Sequence, residues 1–287
     1  MKLAFLGTPD VAAGTLRALV AAGHDVRVVV TRADTRRGRG SQPSPSPVKE
    51  AAEQLGLRVA HTPAEVLGSG ADLGVVVAYG RIIKPDVLAE VRIVNVHFSL
   101  LPRWRGAAPV ERAILAGDTE TGVSLMELEE GLDTGPVYAR ATTLIGPEET
   151  AGELRRRLGE MGNELLLPEL AHGLGTPEPQ VGEPTYANKL EPEELYLDFG
   201  LPADVVNRAV RIGRAWTTWR GRRLLVRRAR ALPDEQTLSP GQVHGDKVGT
   251  AKGALQLLVV QPEGKPAMEA AAWARGAHLA PGEHLGR

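Results

Sequence analysis

Three residues carry the types and spacing that acyl-transfer chemistry needs. Asn95 and His97 stand two apart in Ile93-Val-Asn-Val-His97, and Asp133 lies in Gly131-Leu-Asp-Thr-Gly135. An imidazole can give or take a proton near neutral pH. A carboxamide is a fixed neutral donor that can hold a developing oxyanion. A carboxylate in a glycine-flanked turn can orient the imidazole or collect a proton through water. The residues by themselves leave a plainer reading open, in which Asn95 ends a strand, His97 is a structural histidine and Asp133 caps a turn.

Positioning such a set requires a rigid element beneath it. Ile93, Val94 and Val96 are β-branched and apolar, as a central parallel strand demands, and its period of two puts Asn95 and His97 on one side. The pattern then breaks into Ser99-Leu-Leu-Pro102 and Arg103-Trp-Arg-Gly-Ala-Ala-Pro109, too rich in Pro, Arg and Gly to extend a sheet. Polar groups at the carboxyl end of a parallel strand lie where open α/β sheets bind ligands.

Further strands are read at Lys2–Gly7, Asp25–Thr31, Arg58–His61, Ala71–Tyr79, Gly122–Glu127 and Val137–Ile145. Helices are read over Val11–Ala22, Val48–Leu55 and Asp86–Glu90. Strands alternating with helices predict a Rossmann-like parallel sheet covered on both faces. A long helix is expected over Thr150–Leu174, with Thr150 and Glu153 spaced as a capping box. Residues 181–202, in a Pro-rich irregular stretch, read as a linker between a first domain of residues 1–180 and a second of 203–287. Past Pro202, a short helix over Asp204–Arg211 precedes short glycine-punctuated strands at 223–229, 241–244, 247–251 and 254–261. These suggest a small, OB-like β-barrel.

Composition narrows the chemistry. With 287 residues, 43% hydrophobic and 24% charged, the chain can bury a full core. No cysteine is present, which excludes a cysteine nucleophile, thiolate zinc and iron–sulfur clusters. The G-x-G-x-x-G fingerprint, the P-loop and H-E-x-x-H are all missing, and no metal is expected. No signal peptide or membrane-length apolar run is found, so a cytoplasmic protein is expected. The net charge of −1 hides an asymmetry: from Ala203 onward there are 14 basic residues against 7 acidic ones. Nine arginines and no acid fall between Arg208 and Arg230, interleaved with Trp216 and Trp219, a composition suited to an RNA backbone.

Asn95-Val-His97, Ser99–Pro109 and Gly131–Gly135 together resemble the signatures of the folate-dependent formyltransferases. The Trp-Arg-Gly-Ala-Ala-Pro extension is similar to that of the branch acting on methionyl-tRNA. The likeness also takes in Phe5–Pro9, Gly38–Gly40, Pro45–Lys49, Val77–Gly80, Tyr186–Lys189 and Gln261–Lys265. It implies a transferase that moves the formyl group of 10-formyltetrahydrofolate to the α-amine of initiator methionyl-tRNA. Asn95 and His97 would then hold the tetrahedral oxyanion, and Asp133 would orient His97. The folate would lie against Tyr79, Gly80, Ile82, Ser99, Leu100, Leu101 and Pro102. The tRNA would be met by Arg36, Arg37 and Arg39, by Arg103 and Arg105, and by Arg222 and Arg223; the chain is expected to act as a monomer. Phe98 departs from the smaller residue usual in the family, and Ile212–Trp219 from its usual Pro-containing aromatic motif. Two other readings stay open here: a formyltransferase acting on an amino-sugar or purine-precursor amine, and a non-catalytic RNA-binding protein on the same fold.

Overall fold

The computed structural model describes residues 1–36 and 43–286. Its strands are β1 (Lys2–Gly7), β2 (Asp25–Val30), β3 (Thr35–Arg36), β4 (Pro43–Ser44), β5 (Val59–Ala60), β6 (Leu73–Val77), β7 (Ile93–His97), β8 (Glu120–Glu127) and β9 (Val137–Leu144). Strands β10 (Trp216–Trp219), β11 (Arg222–Leu232), β12 (Val243–His244), β13 (Lys247–Gly249), β14 (Ala254–Pro262) and β15 (Met268–Glu269) follow. The helices are α1 (Asp10–Ala21), α2 (Pro47–Gln54), α3 (Pro85–Glu90), α4 (Pro109–Ala116), α5 (Ala151–His172), α6 (Ala203–Arg211) and α7 (Ala270–Ala277). The chain divides into two compact units. One comprises Met1–Pro109, Glu120–Leu144 and Arg155–Asn188; the other comprises Val110–Thr119, Ile145–Leu154 and Lys189–Arg287.

The first unit is built on a seven-stranded sheet in the order β5-β2-β1-β6-β7-β8-β9. The five strands from β5 to β7 run parallel, as their continuous apolar runs require, and β8 and β9 add an antiparallel hairpin. Leu3, Ala4, Phe5 and Leu6 have no solvent exposure, so β1 is covered on both faces. Residues Ala4, Leu6, Val28, Val30, Val76 and Ile93 pack with Tyr79, Ile83 and Val87 in one apolar cluster. The order reverses between β1 and β6, which puts the crevice of an open α/β sheet at the carboxyl ends of those two strands, one strand over from β7.

Local signals set several boundaries. Gly23, at φ +80, stops the chain after α1, as the sequence indicated. Ser46 caps α2 by accepting a bond from the Lys49 amide (3.0 Å), with Pro47 in the first turn. The expected capping box of α5 forms: the Thr150 amide donates to Glu153 Oε2 (2.8 Å) and the Glu153 amide to Thr150 Oγ1 (3.3 Å). Helix α4 has no counterpart in the sequence reading, although Pro109 in its first turn and buried Val110, Ala113 and Ile114 are adequate signals.

The second unit is an antiparallel half-barrel with strand order β10-β11-β14-β13-β12 and β15 beside β14. Its core gathers Val226, Leu255, Leu257 and Val260 from the sheet, Val206 and Val210 from α6, and Trp273 from α7. Strand β10 and helix α7 were not foreseen. Trp219 Nε1 (2.8 Å), Arg220 Nε (2.7 Å) and Arg220 Nη2 (2.9 Å) all donate to the Glu283 carboxylate, tying the β10–β11 turn to the C-terminal stretch. Those donors, the Arg220 guanidinium foremost, pull the Glu283 carboxyl down to about 2. A carboxyl depressed in the folded state stabilises above its unfolded pKa (~4.3) and loses that contribution as pH falls toward the folded value. Glu283→Gln should therefore lower the thermal midpoint at pH 7, and the gap to the parent should close steadily below pH ~4.3. A gap unchanged down to pH ~3 would show that the ion pair is not its source.

Candidate active site

Strand β7 delivers Asn95 and His97 together at its carboxyl end. Asn95 lies opposite Val76 of β6 and Met126 of β8, and His97 opposite Ser124. Both are buried, at 8% and 5% exposure, so any charge or dipole they present acts with little screening by water. The β8–β9 connection supplies Asp133, whose backbone takes the left-handed conformation (φ +49). Its carboxylate reaches the imidazole: Asp133 Oδ2 stands 3.7 Å from His97 Nδ1. That oxygen also accepts the Gly106 amide at 2.7 Å.

On its other side the ring meets the loop after β7, with His97 Nε2 at 2.8 Å from the Trp104 carbonyl. Each ring nitrogen thus faces an oxygen; an imidazolium donates to both and a neutral ring to only one. The pairing with Asp133 is longer than a hydrogen bond, as catalytic contacts often are before substrate closes the site. The structure brings His97 and Asp133 together, with Asn95 two residues before His97 on the same strand.

The loop itself is fixed by polar contacts. Ser99, fully buried, donates to the Arg103 carbonyl, and Ser124 Oγ donates to the Ser99 carbonyl (2.7 Å) while accepting the Leu101 amide (3.1 Å). Leu101 is buried against Met126 and Val137, and its bond to Pro102 is cis. Ser99 and Leu101 therefore shape the loop from within, whereas Leu100 and Pro102 are partly exposed. Of the other residues read as folate contacts, Tyr79 is buried in the apolar cluster beneath β6, Gly80 turns at φ +75, and Ile82 is 90% exposed. Leu132, next to Asp133, is 60% exposed.

The arginines divide. Arg36 is exposed at the end of β3, while Arg37 and Arg39 lie outside the described residues. The Arg103 guanidinium lies over the Trp104 ring, 4.5 Å from its centre. The Arg105 guanidinium turns inward and donates twice to Gln180 Oε1 (3.1 and 2.7 Å). In the second unit the arginine run is not uncompensated, contrary to its reading from sequence. Asp204, Glu283 and Glu148 pair with Arg208 (3.2 Å), Arg220 (2.7 Å) and Arg230 (3.0 Å), brought in from outside the run by the fold. Arg222 stays 71% exposed with Glu263 at 3.9 Å, and Arg223 lies over Trp216 (4.5 Å). Both line a cleft of about 380 Å³ with Trp219, Lys265, Met268 and Trp273.

The comparisons agree in direction. A formyl transferase family model matches residues 1–170, and a formyl transferase C-terminal domain model matches residues 189–278. A methionyl-tRNA formyltransferase of Thermus thermophilus is 46% identical over 313 residues, covering the whole of both chains. The chain belongs to the methionyl-tRNA formyltransferase family. A second member of that family, from Heliobacterium modesticaldum, is 42% identical over 316 residues, again across both full lengths. A solved structure of a methionyl-tRNA formyltransferase from Clostridium thermocellum shares the fold at TM-score 0.60 and 18% identity, over 80% of this chain and 93% of that one.

Family membership makes the chain a formyl-transferring enzyme and favours that reading over a non-catalytic RNA-binding protein. Among the described residues no helix is long and apolar enough to cross a membrane, and no three His, Asp or Glu side chains converge as metal ligands. The sequence reading missed Ser124, Gln180 and Thr185. Thr185 Oγ1 accepts the Trp104 amide (2.9 Å), and Gln180 Nε2 donates to the Asp133 and Gly135 carbonyls (both 2.8 Å). The last two sit in an aperiodic, Pro-rich stretch where neither helix nor strand spacing marks a side chain as inward-facing. Nothing short of the folded backbone singles them out.

Proposed function

We propose that this chain transfers the formyl group of 10-formyltetrahydrofolate to the α-amine of initiator methionyl-tRNA, with Asn95, His97 and Asp133 as the reacting groups. The observation that supports it most is the His97 imidazole held between the Asp133 carboxylate (3.7 Å) and a backbone carbonyl (2.8 Å) at the carboxyl end of a central strand. The names borne by relatives matched across their full length point to formylation of methionyl-tRNA.

In this mechanism the amine lone pair attacks the formyl carbon and the carbonyl electrons move onto oxygen. The Asn95 carboxamide and the Nδ1–H of His97, the ring nitrogen not bonded to the Trp104 carbonyl, donate to that oxyanion. When the oxyanion collapses, the bond from carbon to folate nitrogen breaks. Its electron pair stays on nitrogen, which takes a proton from His97. Asp133 steadies the imidazolium and receives the attacking amine's proton through water. No covalent intermediate on the enzyme is required, which suits a chain without cysteine. The ring faces of the folate would cover the exposed side chains of Ile82, which follows β6, and of Leu132, which precedes Asp133, while its polar edges take hydrogen bonds from the backbone.

Arg222 and Arg223 would contact phosphates of the tRNA, and Arg36, Arg37, Arg39 and Arg103 would add to the contact. The proposed setting is the cytoplasm, with the chain acting as a monomer. The test is transfer of labelled formyl from 10-formyltetrahydrofolate to methionyl-tRNA across a salt series, for the parent and for Arg222→Ala/Arg223→Ala. The parent should formylate methionyl-tRNA. The double variant should raise KM for tRNA and reduce the slope of log KM on log salt by about one for each phosphate no longer neutralised, with kcat kept. Label accepted equally by free methionine would argue against the tRNA assignment. An unchanged salt slope would remove the two arginines from it.

A further inference from the structure

We propose that Gln180 and Arg105 form a positioning pair that sets the Asp133 carboxylate against the His97 ring. The inference rests on the reading of Asp133 and His97 as reacting groups. It assigns a role to Gln180, and it gives Arg105 a place inside the protein in addition to any contact with RNA.

Every polar function of the Gln180 carboxamide is in use. Its two N–H groups go to the Asp133 and Gly135 carbonyls, and its oxygen accepts Arg105 Nε and Nη2. Such a set admits one orientation of the amide, because a flipped group would aim N–H at a guanidinium and oxygen at two carbonyls. The turn it grips needs gripping, since Asp133 holds a left-handed backbone that side chains other than glycine's seldom adopt.

The other end of the pair grips the loop. The Arg105 amide donates to the Thr185 carbonyl (2.8 Å), and the Arg105 carbonyl accepts the Ala187 amide (2.7 Å). Its chain neighbours are the two groups that meet the catalytic pair: the Trp104 carbonyl faces His97 Nε2, and the Gly106 amide donates to Asp133 Oδ2. Residues 180–187 thus hold both the loop and the turn, and the Gln180–Arg105 contact joins the two through side chains. Loosening it would let Asp133 drift from His97 without removing any group that touches substrate.

Gln180→Glu is the discriminating substitution. It keeps the size and the acceptor facing Arg105 but replaces two donors with an oxygen facing two carbonyls. The expected result is a kcat about 10²-fold lower, as for a misplacement of about 1 Å, with KM for folate and methionyl-tRNA unchanged. Rates are referred to sites counted by stoichiometric binding of folinic acid, so a partly unfolded preparation does not imitate the effect. Arg105→Lys, which keeps the charge and loses the fork, should shift kcat in the same direction by a smaller factor.

In an Asp133→Asn background, Gln180→Glu should lower kcat no further. An equal drop in both backgrounds would overturn the positioning role and leave Asp133 standing, as would a parental kcat per site for Gln180→Glu alone. A parental kcat for Asp133→Asn by itself would sink the reading of the site and this inference with it. A rise in KM for tRNA with unchanged kcat in Arg105→Lys would place that guanidinium on RNA instead.

Discussion

His97→Ala should slow formyl transfer by at least ~10²-fold at saturating substrates while folate binding persists. One preorganised donor to an oxyanion is worth ~2.7–4 kcal/mol of barrier, and His97 would also carry the leaving group's proton. Burial at 5% exposure strengthens both effects, because water does not compete for the oxyanion at that position. The substitution also removes the 2.8 Å bond to the Trp104 carbonyl, and so costs stability of ~0.5–1.5 kcal/mol. Rate and stability separate in the measurement. Single-turnover transfer per folinic-acid site gives the first, and thermal unfolding the second. A variant that unfolds earlier but transfers at the parental rate would reduce His97 to a structural residue.

Gly135→Ala should be the most damaging single methyl group in the turn. A Cβ built on Gly135 falls 2.0 Å from the Glu127 carbonyl oxygen, a backbone atom of β8 that cannot rotate away. The turn or the strand must move. Since the Glu127 amide also bonds the Pro136 carbonyl (2.9 Å), the hairpin opens at the base of the segment that presents Asp133. Overpacking of this kind costs ~1–3 kcal/mol or more, and displacement of Asp133 adds a loss of kcat about 10²-fold. Gly131→Ala serves as the comparison. There the built Cβ meets the Thr134 side chain at 2.3 Å, and a side chain can shift where a strand cannot. Gly131→Ala should therefore retain more activity than Gly135→Ala. The reverse order, measured as kcat per site, would show that the Glu127 contact does not govern the turn.

Much of this was legible in the residues themselves. The parallel strands announce themselves as unbroken β-branched runs, because a strand covered on both faces has no polar side to show. Asn95 and His97 could be paired from the strand's period of two, and Asp133 from its glycine-flanked turn. The arginine run misled: counted along the chain it is free of acids, but Asp204, Glu283 and Glu148 lie beyond its ends and are brought in only by folding. The inner contact of Arg105 was hidden in a similar way. A charged side chain beside a tryptophan in a loop reads as a surface contact, and only its 2.7 Å bond to Gln180 shows that it points inward. Gln180 had no signal at all, since residues 178–187 bond to β9 and to the Trp104 loop in irregular backbone that carries no period.

A structure of the chain with an unreactive 10-formyl analogue of the folate bound decides most directly whether Asn95 and His97 meet the reacting group. The formyl oxygen should lie within hydrogen-bond distance, about 2.6–3.2 Å, of the Asn95 carboxamide and a His97 ring nitrogen, with Asp133 still beside the ring. A formyl group seated away from the end of β7, or one whose oxygen meets neither side chain, would show that they do not.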